Sequence, residues 1–256
     1  MKRAWAFAER NVKEVLRDPL SYIFCIGFPL VMLVIMTLVN QSIPKEAGMT
    51  IFRIDRLSGG VAVFGQTFVM LFAALCVSGD RSGSFLVRMY ATPMKSRDFV
   101  LGYIIPMLLI SVIQCALTMI ASFVISLITG VKLSIAGLLI GIAVSLPSAV
   151  MFIGFGLLFG TLFNEKAAPG LCSIIISLGS FLGGIWFDPE MTGGILLKIC
   201  RCLPFIYSVK TVRSAISLNF GYEEFWLPLI IVIGSAIVIS AFGTLTFRRR
   251  MRADLS

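Results

Sequence analysis

Histidine is absent from the 256 residues, and charged side chains make up only 14% of them. The first absence excludes a histidine metal site and a histidine proton relay. The second excludes an ordinary soluble domain, in which about 25% of residues are charged. No G-x-x-x-x-G-K-[ST] run occurs, so the chain carries no phosphate-binding loop of that type, and any ATP driving it is hydrolysed on another polypeptide. Asp, Glu, Lys and Arg are essentially missing from the long apolar stretches, whereas ion-driven carriers usually hold their driving ion with ionisable groups inside the membrane. A sodium site can be built from carbonyls and hydroxyls, so an ion-coupled secondary carrier stays open as the alternative. Serines are plentiful but no base stands beside them, which argues against a membrane-embedded hydrolase. The six cysteines show no metal-ligand spacing, and Cys200 and Cys202 stand too close together to read as a disulfide framework.

What the chain does have is apolar length. Hydrophobic residues make up 58% of it, and the mean hydropathy is +0.97. About 20 consecutive apolar residues span a bilayer as a helix. Six stretches qualify: about Leu20–Asn40, Gly59–Ser78, Phe99–Gly130, Ser134–Phe163, Ala167–Trp186 and Phe225–Phe247. The expected fold is therefore an all-α polytopic membrane protein. Charges run through the first seventeen residues and the apolar run from Leu20 lacks a small-residue cleavage site, so that run is expected to be retained as the first span.

Six spans place both termini on one side. That side holds fourteen Lys and Arg: five in the opening tail, four in the Gly79–Asp98 loop, Lys166, and Arg248, Arg249, Arg250 and Arg252. The other side holds eight, spread over longer segments. The positive-inside bias then assigns both termini to the cytoplasm and the chain to the cell membrane. It also accounts for the net charge of +9 without nucleic acid, for which no basic stretch with interleaved aromatics exists. The Arg248–Arg250 run reads as an anchor of the same kind.

In the opening tail, Trp5, Ala8, Val12, Val15 and Leu16 recur at helical spacing with basic residues on other faces. This predicts an amphipathic helix in the membrane interface, broken at Asp18-Pro19. Three parts are expected: residues 1–19 as the cytoplasmic interfacial helix, 20–247 as the transmembrane domain, and 248–256 as a basic cytoplasmic tail. Between spans five and six, Pro189 and Gly193-Gly194 interrupt the chain, and Ile195–Leu203 and Tyr207–Leu218 read as two short outer helices meeting at Pro204. Helices this short suit a re-entrant or interfacial segment. Gln114 is the most polar side chain expected in the third span. It is a candidate for the substrate pathway, with interhelical hydrogen bonding as its other role. Asp188, Glu190, Glu223 and Glu224 ring the outer side as solvated acids, and the glycines at 154, 156 and 179–184 suit close helix packing.

The loop GDRSGSFLVRMYATPMKSRD is a candidate docking element. Phe85, Leu86, Met89 and Tyr90 share one helical face beside Arg81 and Arg88, and the pattern stops near Thr92-Pro93. Here the sequence resembles the cytoplasmic signature of the type-2 ABC transporter permeases. That family commonly reads acid-basic-acid-x-Gly, a short helix with an Arg and a bulky apolar residue, then Thr-Pro. Asp80 supplies the first acid, Arg88-Met89 the pair, and Thr92-Pro93 the close. Ser82 replaces the second acid, and the glycine stands one place early, at Gly83. Leu203-Pro204-Phe205-Ile206-Tyr207 followed by Arg213 is similar to the family's Pro-x-x-Tyr then Arg pattern, and Arg10-Asn11 and Arg17-Asp18-Pro19 fit its entry to the first span.

The resemblance implies an interfacial helix, six spans, a coupling helix after the second span and re-entrant outer helices before the sixth. It implies coupling to an ATPase through Asp80, Arg81, Phe85, Arg88, Met89, Thr92 and Pro93, with Pro204, Tyr207 and Arg213 in the outer segment. It implies a non-enzymatic permease that binds no cofactor, with ATP and Mg on a cytoplasmic ATPase subunit, and a second permease chain completing a homo- or heterodimer. The substrates it implies are amphipathic or bulky, such as drugs, peptides or lipids, moved out of the cytoplasm. A non-transporting scaffold or immunity role is the remaining alternative.

Overall fold

The computed structural model describes residues 2–44, 50–83 and 96–253; among them every regular element is a helix and none is a strand. Lipid offers the backbone no partners, so a chain this apolar satisfies its amides within helices. α1 (Lys2–Arg17) stops where the sequence predicts, at Asp18-Pro19. The Asp18 carboxylate accepts from the Leu20 amide at 3.1 Å and the Ser21 hydroxyl at 2.8 Å. Asp18 thus caps α2 (Pro19–Ser42), whose first residue needs no amide. α3 (Ile54–Ser82) and α4 (Ser96–Thr129) follow, then α5 (Ile135–Val144), α6 (Leu146–Leu162) and α7 (Ala168–Leu182). The short helices α8 (Pro189–Thr192), α9 (Gly194–Cys202) and α10 (Pro204–Ile216) lead into α11 (Leu227–Ala253) through a π-helical turn at Tyr222–Trp226.

Five segments have the length and apolarity to cross a membrane: Pro19–Ser42, Ile54–Ser82, Arg97–Thr129, Ile135–Leu162 and Tyr222–Arg250. The expected fifth span, Ala167–Trp186, is shorter than predicted. α7 has 15 residues and rises about 22 Å, against a hydrocarbon core of about 30 Å. Gly183 ends it, and Gly184, at φ 69°, turns the chain so that Trp186 packs edge-on against Phe64 with ring centroids 5.1 Å apart.

α3 is the core of the bundle, buried along most of its length against α2, α4, α6, α7 and α10. Small residues permit this. A Cβ on Gly156 of α6 would fall 2.4 Å from the Met70 carbonyl oxygen, and one on Gly160 would fall 2.5 Å from that of Ala74. On the other side of α6, Gly154 lies against Ser240 of α11. Apolar lipid gives helices no hydrophobic drive to associate, so such close approach is what holds them.

The fourth apolar stretch, expected as one helix, is broken at Ser145. Pro147 removes an amide from the ladder. The Ser145 carbonyl accepts from the Ala149 amide, the Ser148 hydroxyl at 2.8 Å and the Gln66 amide of α3 at 3.0 Å, while Ser148 donates back to Gln66 at 2.6 Å. Gln66 therefore fastens the break to the central helix.

α1 docks on α4 along one face. Its buried positions are Ala4, Phe7, Ala8, Asn11 and Val15, whereas Trp5 is 64% exposed and Leu16 is also exposed. The reason is a notch: a Cβ on Gly102 would sit 2.2 Å from the Phe7 ring, so Phe7 takes the place of a side chain there. The outer helices form close to their predicted positions, and α10 buries Phe205, Val209, Val212 and Ile216 in the bundle.

Candidate functional site

At the end of the bundle where α11 brings Phe247, α1 meets the last turn of α3 and the first turns of α4. Asp80 lies at the centre, 7% exposed. The Arg10 guanidinium grips both its carboxylate oxygens at 2.9 Å, and the Tyr103 hydroxyl donates to it at 2.8 Å. Such a fork-to-fork pair is the strongest form of the Arg–carboxylate contact. Arg10 also meets Glu14 at 2.9 Å and donates to the Asn11 side chain, whose own amide donates to the Gly102 carbonyl at 3.0 Å. An aromatic cluster closes the joint: Phe7 stands edge-on to Phe99 and Tyr103 at 5.5 and 5.1 Å, and Phe247 of α11 lies against both.

The electrostatics of this joint follow from burial. Burial works against the Arg10 charge, but the Asp80 hydrogen bond and charge outweigh it, and the guanidinium is held above its ordinary pKa. For Glu14, burial and then the Asp80 charge prevail over the pull of Arg10, so its carboxyl lies above the usual value.

Arg81, one residue on, turns to the end of α6. It donates to the carbonyls of Thr161 and Gly160, the latter at 3.3 Å, and Ser82 donates to Glu165 at 3.0 Å. A cation on the last carbonyls of a helix also complements the helix dipole. Asp80 and Arg81 are thus part of α3, which runs four residues beyond the predicted span, because both side chains find partners inside the protein. The remaining predicted coupling residues, Phe85, Arg88, Met89, Thr92 and Pro93, lie outside the described residues.

In the outer segment, Pro204 opens α10, and Tyr207 donates to the Arg201 carbonyl at 2.8 Å. Arg213 donates to the Arg56 carbonyl at 2.9 Å. Gln114 is 1% exposed, with its amide over Gly65 and donating to Thr118 in its own helix at 3.1 Å. The acids expected to be solvated are mostly paired: Asp188 with Arg56, and Glu190 and Glu224 with Lys210. Sequence reasoning missed Gln66 and Tyr103. Tyr103 had no signal, being one polar ring in an apolar run. Gln66 had one, an amide in the middle of a span. Among the described residues no group of His, Cys, Asp and Glu could hold a metal ion.

The model of the ABC-2 type transporter family matches residues 2–217. That range takes in the joint around Asp80 and the outer helices up to the end of α10. The comparison with curated proteins returned no match.

Proposed function

The chain belongs to the ABC-2 type transporter family, and from that premise we propose that it is the permease of an ATP-driven exporter, working as two permease chains with two ATPase subunits. The family makes the chain a transport permease whose ATPase is a separate component. The sequence agrees, having no phosphate-binding loop of its own. In this reading both termini are cytoplasmic, six segments cross the cell membrane, and residues 1–19, 20–247 and 248–256 form the interfacial helix, transmembrane domain and basic tail. The substrate is amphipathic or bulky, and it leaves the cytoplasm.

The observation that supports coupling is the Arg10–Asp80–Tyr103 joint. It fastens α1 to α3 and α4, the two helices that flank residues 84–95. Residues 84–95 act as the coupling helix, with Phe85, Arg88 and Met89 against the ATPase and Thr92-Pro93 ending it. Displacement of that segment bears on α3 and α4 together, and the joint carries α1 with them. Asp80 and Arg81 act in coupling by holding the segment's root.

The test is the double variant Arg88→Glu with Met89→Asp in the full complex. Insertion and unfolding temperature are expected to stay at wild-type values, while transport and its stimulation of ATP hydrolysis fall at least tenfold. Unchanged transport removes residues 84–95 from the mechanism. If the tagged chain brings down no ATPase, and transport survives ATP depletion but stops when an ion gradient is collapsed, the ion-coupled carrier reading replaces this one.

A further inference from the structure

The two halves of the fourth apolar segment are held very differently. α6 is buried along most of its length against α3 and α11, with Gly156 and Gly160 set onto the Met70 and Ala74 carbonyls. α5 buries only Gly137, Leu138 and Gly141, and it rests by its two glycines on Ile216 at the end of α10. Ile135 and Leu139 point outward, both more than half exposed. Few buried contacts mark the part of a fold that moves at least cost. Of the two halves, that part is α5.

The break between them is built to bend. Pro147 has no amide to give, so bending here breaks no further backbone bond. The bonds around it, from Ser145 to the Gly141 carbonyl at 3.1 Å and from Ala149 to the Ser145 carbonyl at 3.0 Å, are in place. What fixes the angle comes from outside the segment. Gln66 of α3, fully buried, donates to the Ser145 carbonyl at 3.0 Å and accepts from the Ser148 hydroxyl at 2.6 Å. One side chain thus grips the break and the first turn beyond it. From α4, Cys115 Sγ lies 3.4 Å from Ser145 Oγ. Its neighbour Gln114 packs over Gly65, the residue before Gln66, and Gln114 Oε1 is buried without a partner among the described residues. Buried acceptors are nearly always satisfied. An open one beside a two-bond latch is a cost that a second arrangement of these polar groups can relieve.

We propose that Gln66 is a positioning residue for transport. It latches the hinge at Ser145 and so holds α5 against α10; displacement of α3 releases the latch, and α5 swings away. The proposal rests on the exporter reading, in which α3 leads directly into residues 84–95. Gln66 stands on that same helix and passes its displacement to a segment that residues 84–95 do not adjoin.

The test measures a distance across the hinge in the full complex with its ATPase, in lipid nanodiscs. In a Cys202→Ser background, Leu139→Cys on α5 and Phe163→Cys at the end of α6 carry spin labels, and an excess of unlabelled chain leaves each complex with a single labelled permease. Wild-type Gln66 is expected to give one distance without nucleotide and a second, resolved one after trapping with ADP and vanadate. Gln66→Leu is expected to show the second distance without nucleotide, and trapping is expected to shift it no further. Ser148→Ala removes one of the two bonds and is expected to show both distances at once. A control pair within the rigid half, Phe163→Cys with Ile230→Cys on α11, is expected to keep one distance throughout, which a loosened bundle would not. Should Gln66→Leu not fold, Ser148→Ala carries the comparison. A single distance in both nucleotide states while ATP is hydrolysed overturns the proposal, as does retention of the nucleotide-free distance by both variants. If no ATPase assembles with the chain, the exporter reading falls, and wild type against Gln66→Leu without nucleotide still decides the latch.

Discussion

Asp80 and Glu14 both touch Arg10 at 2.9 Å, but their surroundings give the two contacts different weights. Asp80 is buried, gripped by both guanidinium nitrogens and bonded by Tyr103; half of the Glu14 side chain is exposed. Removing the Asp80 charge takes a charged hydrogen-bond partner from Arg10 and Tyr103, at a cost of about 1.5–3 kcal/mol, while Arg10, 35% exposed, keeps Glu14. Asp80→Asn is therefore expected to lower the unfolding temperature sharply. The Glu14 carboxyl is held above its ordinary pKa, so the folded chain binds this proton more tightly than the unfolded one. Its contribution to stability is present below the ordinary carboxylate range and is lost as pH rises through the raised value. Glu14→Gln is accordingly expected to lie within about 0.5 kcal/mol of wild type at neutral pH. Thermal unfolding of both variants at pH 7 decides this, and equal losses would mean that proximity to Arg10, not burial, sets the strength. The sequence marks Arg10 and Asp80 separately, but they stand seventy positions apart. No local pattern pairs them, and Tyr103 cannot be told from the apolar residues around it.

At the scale of helices, local chemistry was readable and mutual fit was not. The break at Asp18-Pro19 is a matter of a capping side chain and a missing amide, both written in adjacent residues. The docked face of α1 depends on a glycine in α4, which no pattern within α1 itself reveals. The bend at Ser145 required Gln66 as well as Pro147, and Gln66 belongs to another helix. The glycines were recognised as packing residues, and their neighbours grade them. A methyl on Gly156 would meet backbone of α3, which cannot swing aside, while one on Gly170 in α7 would meet nothing within 4 Å. Gly156→Ala is expected to cost about 1–3 kcal/mol through overpacking. Gly170→Ala is expected to be neutral or to gain up to about 1 kcal/mol from helix propensity. Unfolding temperatures of the two variants, measured in one detergent, check the contrast.

For the whole molecule the open geometric matter is how α7 relates to the membrane. Six crossings follow if it spans, and its 15 residues are short for that. The turn after it adds length: Gly184 turns the chain, and Ile185 and Trp186 remain packed against α3 and lead toward Asp188. If α7 and this turn together cross, the Asn164 loop and the α9 helix lie on opposite faces. The protein has a natural reporter for this. Cys202 is exposed at the end of α9, whereas Cys25, Cys115, Cys172 and Cys200 are buried and Cys76 is partly so. A membrane-impermeant maleimide applied to intact cells is expected to label Cys202, with Cys202→Ser abolishing the signal. In that Cys202→Ser background, Asn164→Cys is expected to stay unlabelled until the membrane is opened. Labelling of both positions from outside would make α7 a surface-lying helix and leave five crossings. The termini would then sit on opposite faces, and the Arg10–Asp80 joint, where α1 and Phe247 of α11 meet, could not survive. The joint and the sixth crossing therefore stand together, and the labelling pattern tests both.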